Sequence, residues 1–226
     1  MSVKRQKIQS FVIRDCALAA IAIGQTAQNL RELRDHLITV HPDSIYYHFW
    51  GGLLRPGFDD PEYNNDFAAW ARHGLHDGAL AERLGIIDPT DFEDLEEIRS
   101  ELLEVIEERL DETEIVPWAN ADNRFAFIRS QIVVFNTHRT LDHPRELPDA
   151  VAHMSLGSVF FHVIDARRRT WNRVDDFRSW LADLGPDYGD LVHDLDGVDP
   201  YFAGLKDLRA ELAGIFRRHL GGGEGA

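Results

Sequence analysis

The sequence predicts a mainly α-helical protein: a tandem duplication of a four-helix unit of about 100 residues, each copy opened by at most one short strand, the copies packed with pseudo-two-fold symmetry. Three observations predict it. Blocks of residues recur in the same order along the chain, apolar residues in the longest segments step by three and four, and Asx, Ser and Pro signals stand where helices should begin. Phe11-Val12-Ile13-Arg14 answers to Ala126-Phe127-Ile128-Arg129 at an offset of 115. Arg31-Glu32-Leu33-Arg34-Asp35 answers to Arg145-Glu146-Leu147-Pro148-Asp149 at 114, and Ser44-Ile45-Tyr46-Tyr47-His48 to Ser158-Val159-Phe160-Phe161-His162 at the same offset, with Arg55 falling on Arg169. Asp66-Phe67-Ala68-Ala69-Trp70 falls on Asp176-Phe177-Arg178-Ser179-Trp180 at 110, and Asp88-Pro89 on Asp199-Pro200 at 111. Leu95, Arg99, Glu101, Leu102, Ile106 and Leu110 then match Leu205, Arg209, Glu211, Leu212, Phe216 and Leu220 at 110. The repeats therefore run over 8–112 and 124–220, joined by 113–123 and followed by a glycine-rich tail, 221–226, expected to be disordered.

The opening segment of each copy carries two signals. Phe125-Ala126-Phe127-Ile128 and Ile132-Val133-Val134-Phe135 read as strand, whereas Cys16-Ala17-Leu18-Ala19-Ala20 reads as helix. The first helix covers about 30–40, and its counterpart starts at Pro148, since proline is best tolerated in a first turn. A second begins at Ser44 or Ser158, each placed to cap a helix bearing the aromatic-histidine block. A third runs over 65–75 and 175–184, with Phe67 and Trp70 facing inward. The fourth is amphipathic, with Phe92, Leu95, Ile98, Leu102, Val105, Ile106 and Leu110 on one side and an acidic, solvated face on the other; 201–219 repeats it.

Composition narrows the class. The 226 residues are 44% apolar and 28% charged, as in a globular protein. No apolar run reaches membrane-spanning length, and the basic start Met1 to Lys7 leads into no long apolar segment, so the expected location is the cytoplasm. A formal charge of −15 argues against nucleic-acid binding, which depends on Lys and Arg displacing counterions. The single cysteine, Cys16, makes no internal disulfide and reads as a small buried residue. Glycine phosphate loops, a dinucleotide fingerprint, a Gly-x-Ser-x-Gly elbow and cysteine metal motifs are all absent.

The leading site candidates are His48 and His162 with their neighbours Tyr47 and Phe161. Equivalent residues of two copies can face one another across a symmetry axis and there bind a metal or an anion, or move a proton. The competing reading is a pair of core histidines with satisfied rings. Tyr46, Tyr47, Trp50, Phe160 and Phe161 form an aromatic region read as mostly core and partly binding surface. Arg167, Arg168 and Arg169 make a basic triplet suited to an acidic partner, though such runs are usually solvated helix faces. His73, His76 and Asp77 are zinc-ligand types in a weak arrangement that the second copy does not repeat. Asn64, Asn65 and Asp66 could hold a polar ligand but read first as a helix cap.

Ser44-Ile45-Tyr46-Tyr47-His48 followed by Asn65-Asp66-Phe67-Ala68-Ala69-Trp70 resembles an uncharacterised prokaryotic family, a domain of unknown function typified by Ile-Tyr-Tyr-His and Asn-Asp-Phe-Ala blocks. Gly24, Ala27, Asn29, Leu30, Glu32 and Leu33 are similar to its Gly-x-x-Ala-x-x-Leu-x-x-Leu segment. The second copy departs from the pattern, with Phe161 in place of tyrosine and Asp175 in place of Asn65. The resemblance implies no activity or cofactor.

The expectation is a cofactor-free interaction or regulatory scaffold that presents its aromatic blocks and the Arg167–Arg169 patch to another protein and is open to homo-oligomerisation. The alternative is a divalent-metal or histidine-dependent hydrolase with its site between the repeats. A third reading has a small anion held near Arg14, Arg129 and the paired histidines.

Overall fold

The computed structural model describes residues 10–54, 62–112, 119–202 and 204–221. Arg55, most of the connection between the copies, and the tail from 222 onward lie outside these residues. The chain forms two compact units, one made of Leu18–Ile132 and the other of Met1–Ala17 with Val133–Ala226. They are called below the His48 unit and the His162 unit.

Two long strands, β1 (Phe11–Ala27) and β2 (Phe125–Leu141), pair as a two-stranded antiparallel sheet. The His48 unit adds α1 (Leu30–Thr39), α2 (Pro42–Trp50), α3 (Asp66–His73), α4 (Gly78–Gly85) and α5 (Leu95–Glu112). The His162 unit adds α6 (Leu147–Ala152), α7 (Leu156–Val159), α8 (Ala166–Arg169), α9 (Asp176–Leu184), α10 (Gly189–Asp196) and α11 (Leu205–Leu220), with a π-helical stretch, Phe160–Asp165, between α7 and α8.

The expected clean four-helix repeat with a short opening strand is not what the chain forms. Each strand is 17 residues long. Cys16 to Ala20, helical by alanine propensity, is extended because pairing with β2 outweighs a preference worth only tenths of a kcal/mol per residue. Both units also contain a short helix, α4 and α10, that periodicity passed over. Each has eight residues and opens on a glycine, so its sequence resembles a link. The register of the strands also differs from the sequence match. Phe11 takes the place of Phe125, not Ala126, an offset of 114, because alternation of burial rather than the shared Ile-Arg pair decides the facing.

The strands divide between the units. Phe11, Ile13 and Cys16 are buried within the His162 unit, and Phe125, Phe127 and Ser130 within the His48 unit. The strand that precedes α1–α5 in sequence thus gives its first half to the other set of helices, and β2 does the reverse.

Packing inside each unit follows the apolar steps. Leu30, Leu33 and Leu37 of α1 are fully buried, and α1 packs on α5, whose Leu102 and Ile106 are also fully buried. Each such leucine contributes about 1.5–3 kcal/mol on leaving water. Arg99 of α5 reaches under α1 to donate to the carbonyls of Leu37 and Val40, satisfying the end of that helix. In the His162 unit α6 packs on α11, and Arg209 donates to the Met154 carbonyl at 2.7 Å. The caps are local. Asn65 Oδ1 accepts from Ala68 N–H at α3, Asp175 from Arg178 N–H at α9, and Ser155, not the expected Ser158, caps α7.

Candidate functional site: two histidine-aspartate pairs

His48 and His162 are 3% and 2% exposed and stand in closely matching surroundings, each in its own unit. His48 lies on α2, and its Nδ1 is 2.8 Å from Asp66 Oδ2 at the start of α3. The N–H of Ile128 on β2 donates to Nε2 at 3.2 Å. His162 lies in the π-helical stretch, with Nδ1 2.7 Å from Asp176 Oδ2 at the start of α9. Here the N–H of Arg14 on β1 donates to Nε2 at 2.9 Å. A main-chain N–H can only donate, so Nε2 carries a lone pair and the ring proton sits on Nδ1, facing the carboxylate.

The aromatic shell repeats with the same geometry. Phe125 stacks on Phe67 at 5.1 Å and lies 4.6 Å from the His48 ring. Phe11 stacks on Phe177 at 5.0 Å and lies 4.8 Å from the His162 ring. Tyr47 and Phe161 meet the histidines edge-on at 5.3 and 5.1 Å. Each histidine therefore joins a strand of one half of the sequence to two helices of the other.

Chemically this is the histidine-aspartate pair of a catalytic triad with its working nitrogen closed. A general base must present Nε2 to a substrate, and a metal ligand needs the same lone pair. In both units that lone pair accepts a strand N–H. Among the described residues, no three His, Cys, Asp or Glu side chains gather to hold a metal ion.

The other sequence candidates separate in the same manner. His73 Nε2 lies 3.4 Å from Glu62, and His76 Nε2 lies 2.7 Å from Asp122. Asp77 caps α4 through the Leu80 N–H and pairs with Arg109 at 2.8 Å. These three are held by different partners, and only His76 and Asp77 line the open cleft of about 330 Å³ there, with Leu75 and Arg109. Arg14 meets His162 through its backbone, while the Arg129 side chain lies 3.4 Å from Asp43 in the His48 unit.

The basic triplet is partly structural. Arg169 Nε donates to Asp165 at 2.8 Å, and its Nη2 to the Phe161 carbonyl at 2.8 Å and Asp176 at 3.1 Å, with the guanidinium 3.9 Å over the Phe161 ring. Arg168 also donates to Asp165, which is 2% exposed. Arg169 thus ties the buried Asp165 to the carboxylate that holds His162. Tyr46, Tyr47, Trp50, Phe160 and Phe161 are all buried core residues. The aromatic surface of this region is instead Trp171, 94% exposed, in the turn after α8.

The sequence points to Asp66 as a cap or a ligand-holding residue and not to its tie to His48. The signal was present, because a carboxylate recurs beside each repeated histidine block. Sequence reading also missed Gly157, where a Cβ would stand 2.2 Å from the Cys16 carbonyl and 2.3 Å from Asp15 Oδ1, so only glycine lets β1 approach α7. Cys16 Sγ donates to the Gly157 carbonyl at 3.3 Å. Burial, then Asp165 and Asp15, push its thiol up to about 12.

The fold is shared with a solved structure described as OrfY from Thermoproteus tenax, at 25% identity and a TM-score of 0.80, covering 96% of this chain and 99% of that one. No curated protein matches the chain. Residues 8–217 match the family of unknown function named DUF5752, consistent with the expected uncharacterised domain, and the chain belongs to that family.

Proposed function

We propose that this protein is a cytoplasmic, non-catalytic interaction scaffold, whose partner is another protein presenting carboxylates around an apolar recess. The observation that carries the reading is Trp171. A tryptophan 94% exposed presents a large apolar area to water, and it stands one residue, Thr170, beyond Arg167, Arg168 and Arg169 in a chain of net charge −15. Tryptophan and arginine are the residues most enriched at the energetic centres of interfaces. The buried His162–Asp176 pair serves this reading as a clamp on the helices from which the loop projects, and the His48–Asp66 pair holds α2 and α3 in its own unit. Their recurrence with the same stacking supports an internal repeat, each copy a strand followed by helices, with the strand halves exchanged. Among the described residues no helix is long and apolar enough to cross a membrane, which accords with the proposed location.

Native mass spectrometry of the protein purified gently from its own cells tests the proposal. The expected spectrum carries a second polypeptide that is lost from Trp171→Ala and kept in a variant altered at an exposed position elsewhere, such as Ile86→Ala. A stoichiometric metal mass lost from His48→Ala or His162→Ala overturns it in favour of a metal-dependent enzyme.

A further inference from the structure

The middle of β2 is uncovered on both sides. Val133, Val134 and Phe135 are 41%, 44% and 49% exposed, and Asn136 beside them is also exposed. Successive strand side chains point to opposite faces, so consecutive exposed residues mean that neither face is packed. Among the described residues the sheet has two strands, so one edge of β2 pairs with β1 and the other has no strand beside it. A two-stranded apolar ribbon of this kind is marginal in water unless further strands or helices cover it.

Exposed edges are normally guarded by charge, proline or a bulge. From Ser130 to His138 the strand has no Lys, Arg, Asp, Glu or Pro, and its regular part ends only at His138, whose φ is +57°. The residues on offer are β-branched and aromatic, the types that favour strand addition. The corresponding part of β1 is also uncharged but places Ile21, 41% exposed, among Ala19, Ala20 and Ala22, so it presents one large side chain where β2 presents Val133, Val134 and Phe135 in a row.

We infer that the free edge of β2 binds the same edge of a second copy of this chain, giving a four-stranded antiparallel sheet about a two-fold axis at Val134. Charge selects this occupant. Two chains of −15 repel over most of their surfaces, and an uncharged strand is where they approach at least cost. Symmetry makes the segment complementary to itself. With Val134 opposite the partner's Val134, Val133 falls opposite the partner's Phe135 and Phe135 opposite the partner's Val133. Those are two aromatic to β-branched cross-strand pairs. The inference is independent of Trp171 and stands or falls without it.

The axis gives a sharp test by sedimentation velocity on the full chain. Wild type sediments as a dimer at about 100 µM, well above the affinity of a specific interface. Val134→Lys and Val134→Glu each place like charges against themselves on the axis. Each sediments as a monomer, with association weakened at least about 100-fold. An equimolar mixture of the two variants restores a dimer containing one chain of each. Circular dichroism spectra matching the wild type, and melting that matches it at a dilution where the wild type is also monomeric, show that the fold of both variants is intact. A monomeric wild type, with or without another protein's strand bound, overturns the inference, as does Val134→Lys remaining dimeric or a mixture that stays monomeric.

Discussion

The His48 and His162 units hold the same histidine-aspartate pair, the same phenylalanine stack and the same strand N–H, yet they reach that arrangement by different local means. In the His48 unit α2 is a regular helix, Ser130 Oγ donates to the Asp43 carbonyl at 3.2 Å, and the cap of α3 is Asn65. In the His162 unit the histidine sits in a π-helical stretch, Cys16 Sγ donates to the Gly157 carbonyl, and the cap of α9 is Asp175. The segment from histidine to aspartate spans 18 residues in one and 14 in the other. What is common to both units is the tie between strand and helices; what differs is how closely the strand approaches and how the chain returns to the aspartate. The common part is therefore the structural clamp, and the differing part is its adjustment.

The largest effect is expected where the exchanged strands enter their cores. Phe11→Ala and Phe125→Ala each remove a ring stacked on a buried phenylalanine, and each should cost about 3–5 kcal/mol in denaturant unfolding. A much smaller cost for one of them would break the equivalence of the two units. Next comes the close approach at Gly157. Gly157→Ala drives a methyl into the Cys16 backbone carbonyl and should cost about 1–3 kcal/mol or more, whereas Asp43→Ala at the matching position should stay within about 1 kcal/mol.

The caps sharpen the comparison through pH. Burial holds the Asp175 carboxyl above the ordinary carboxylate range, although Arg178 works the other way. An acid whose folded value is raised costs stability above that value, and the cost disappears as pH falls below the unfolded value. Asp175→Asn, which imitates Asn65, should therefore raise the melting temperature at neutral pH, with the gain vanishing in acid. Arg178 keeps its 2.6 Å contact with Asp196 in that variant. A gain that grows on acidification would contradict the assignment. The smallest effect belongs to Cys16→Ser, which imitates Ser130. It should change stability by less than about 1 kcal/mol. In the wild type, alkylation of the folded protein at neutral pH should be slow, because the thiol is held near 12 and buried.

Much of this was legible in the residues, for identifiable reasons. The histidine blocks, the Phe67 and Trp70 helix and the two long amphipathic helices carry strong periodicity, and each appears within a few residues of its expected place. The strands were legible only in part: 125–128 and 132–135 read as strand, but Cys16 to Ala20 is locally a helix former and only its pairing partner, more than a hundred residues away, makes it extended. The exchange of strand halves leaves no local mark, since the same alternation of burial would suit either set of helices. The buried state of Tyr46 and Tyr47 and the exposure of Trp171 are likewise properties of the packing. Aromatic content alone does not distinguish a core from a surface.

Hydrogen exchange read by mass spectrometry on Phe11→Ala tests the strand exchange most directly. The structure predicts that protection falls in 147–220, the helices of the His162 unit, while 30–54 and 66–112 exchange as in the wild type. Loss of protection in α1, α2 and α5 with the 147–220 helices unchanged would show that the opening strand packs on the helices that follow it in sequence, and would contradict the account.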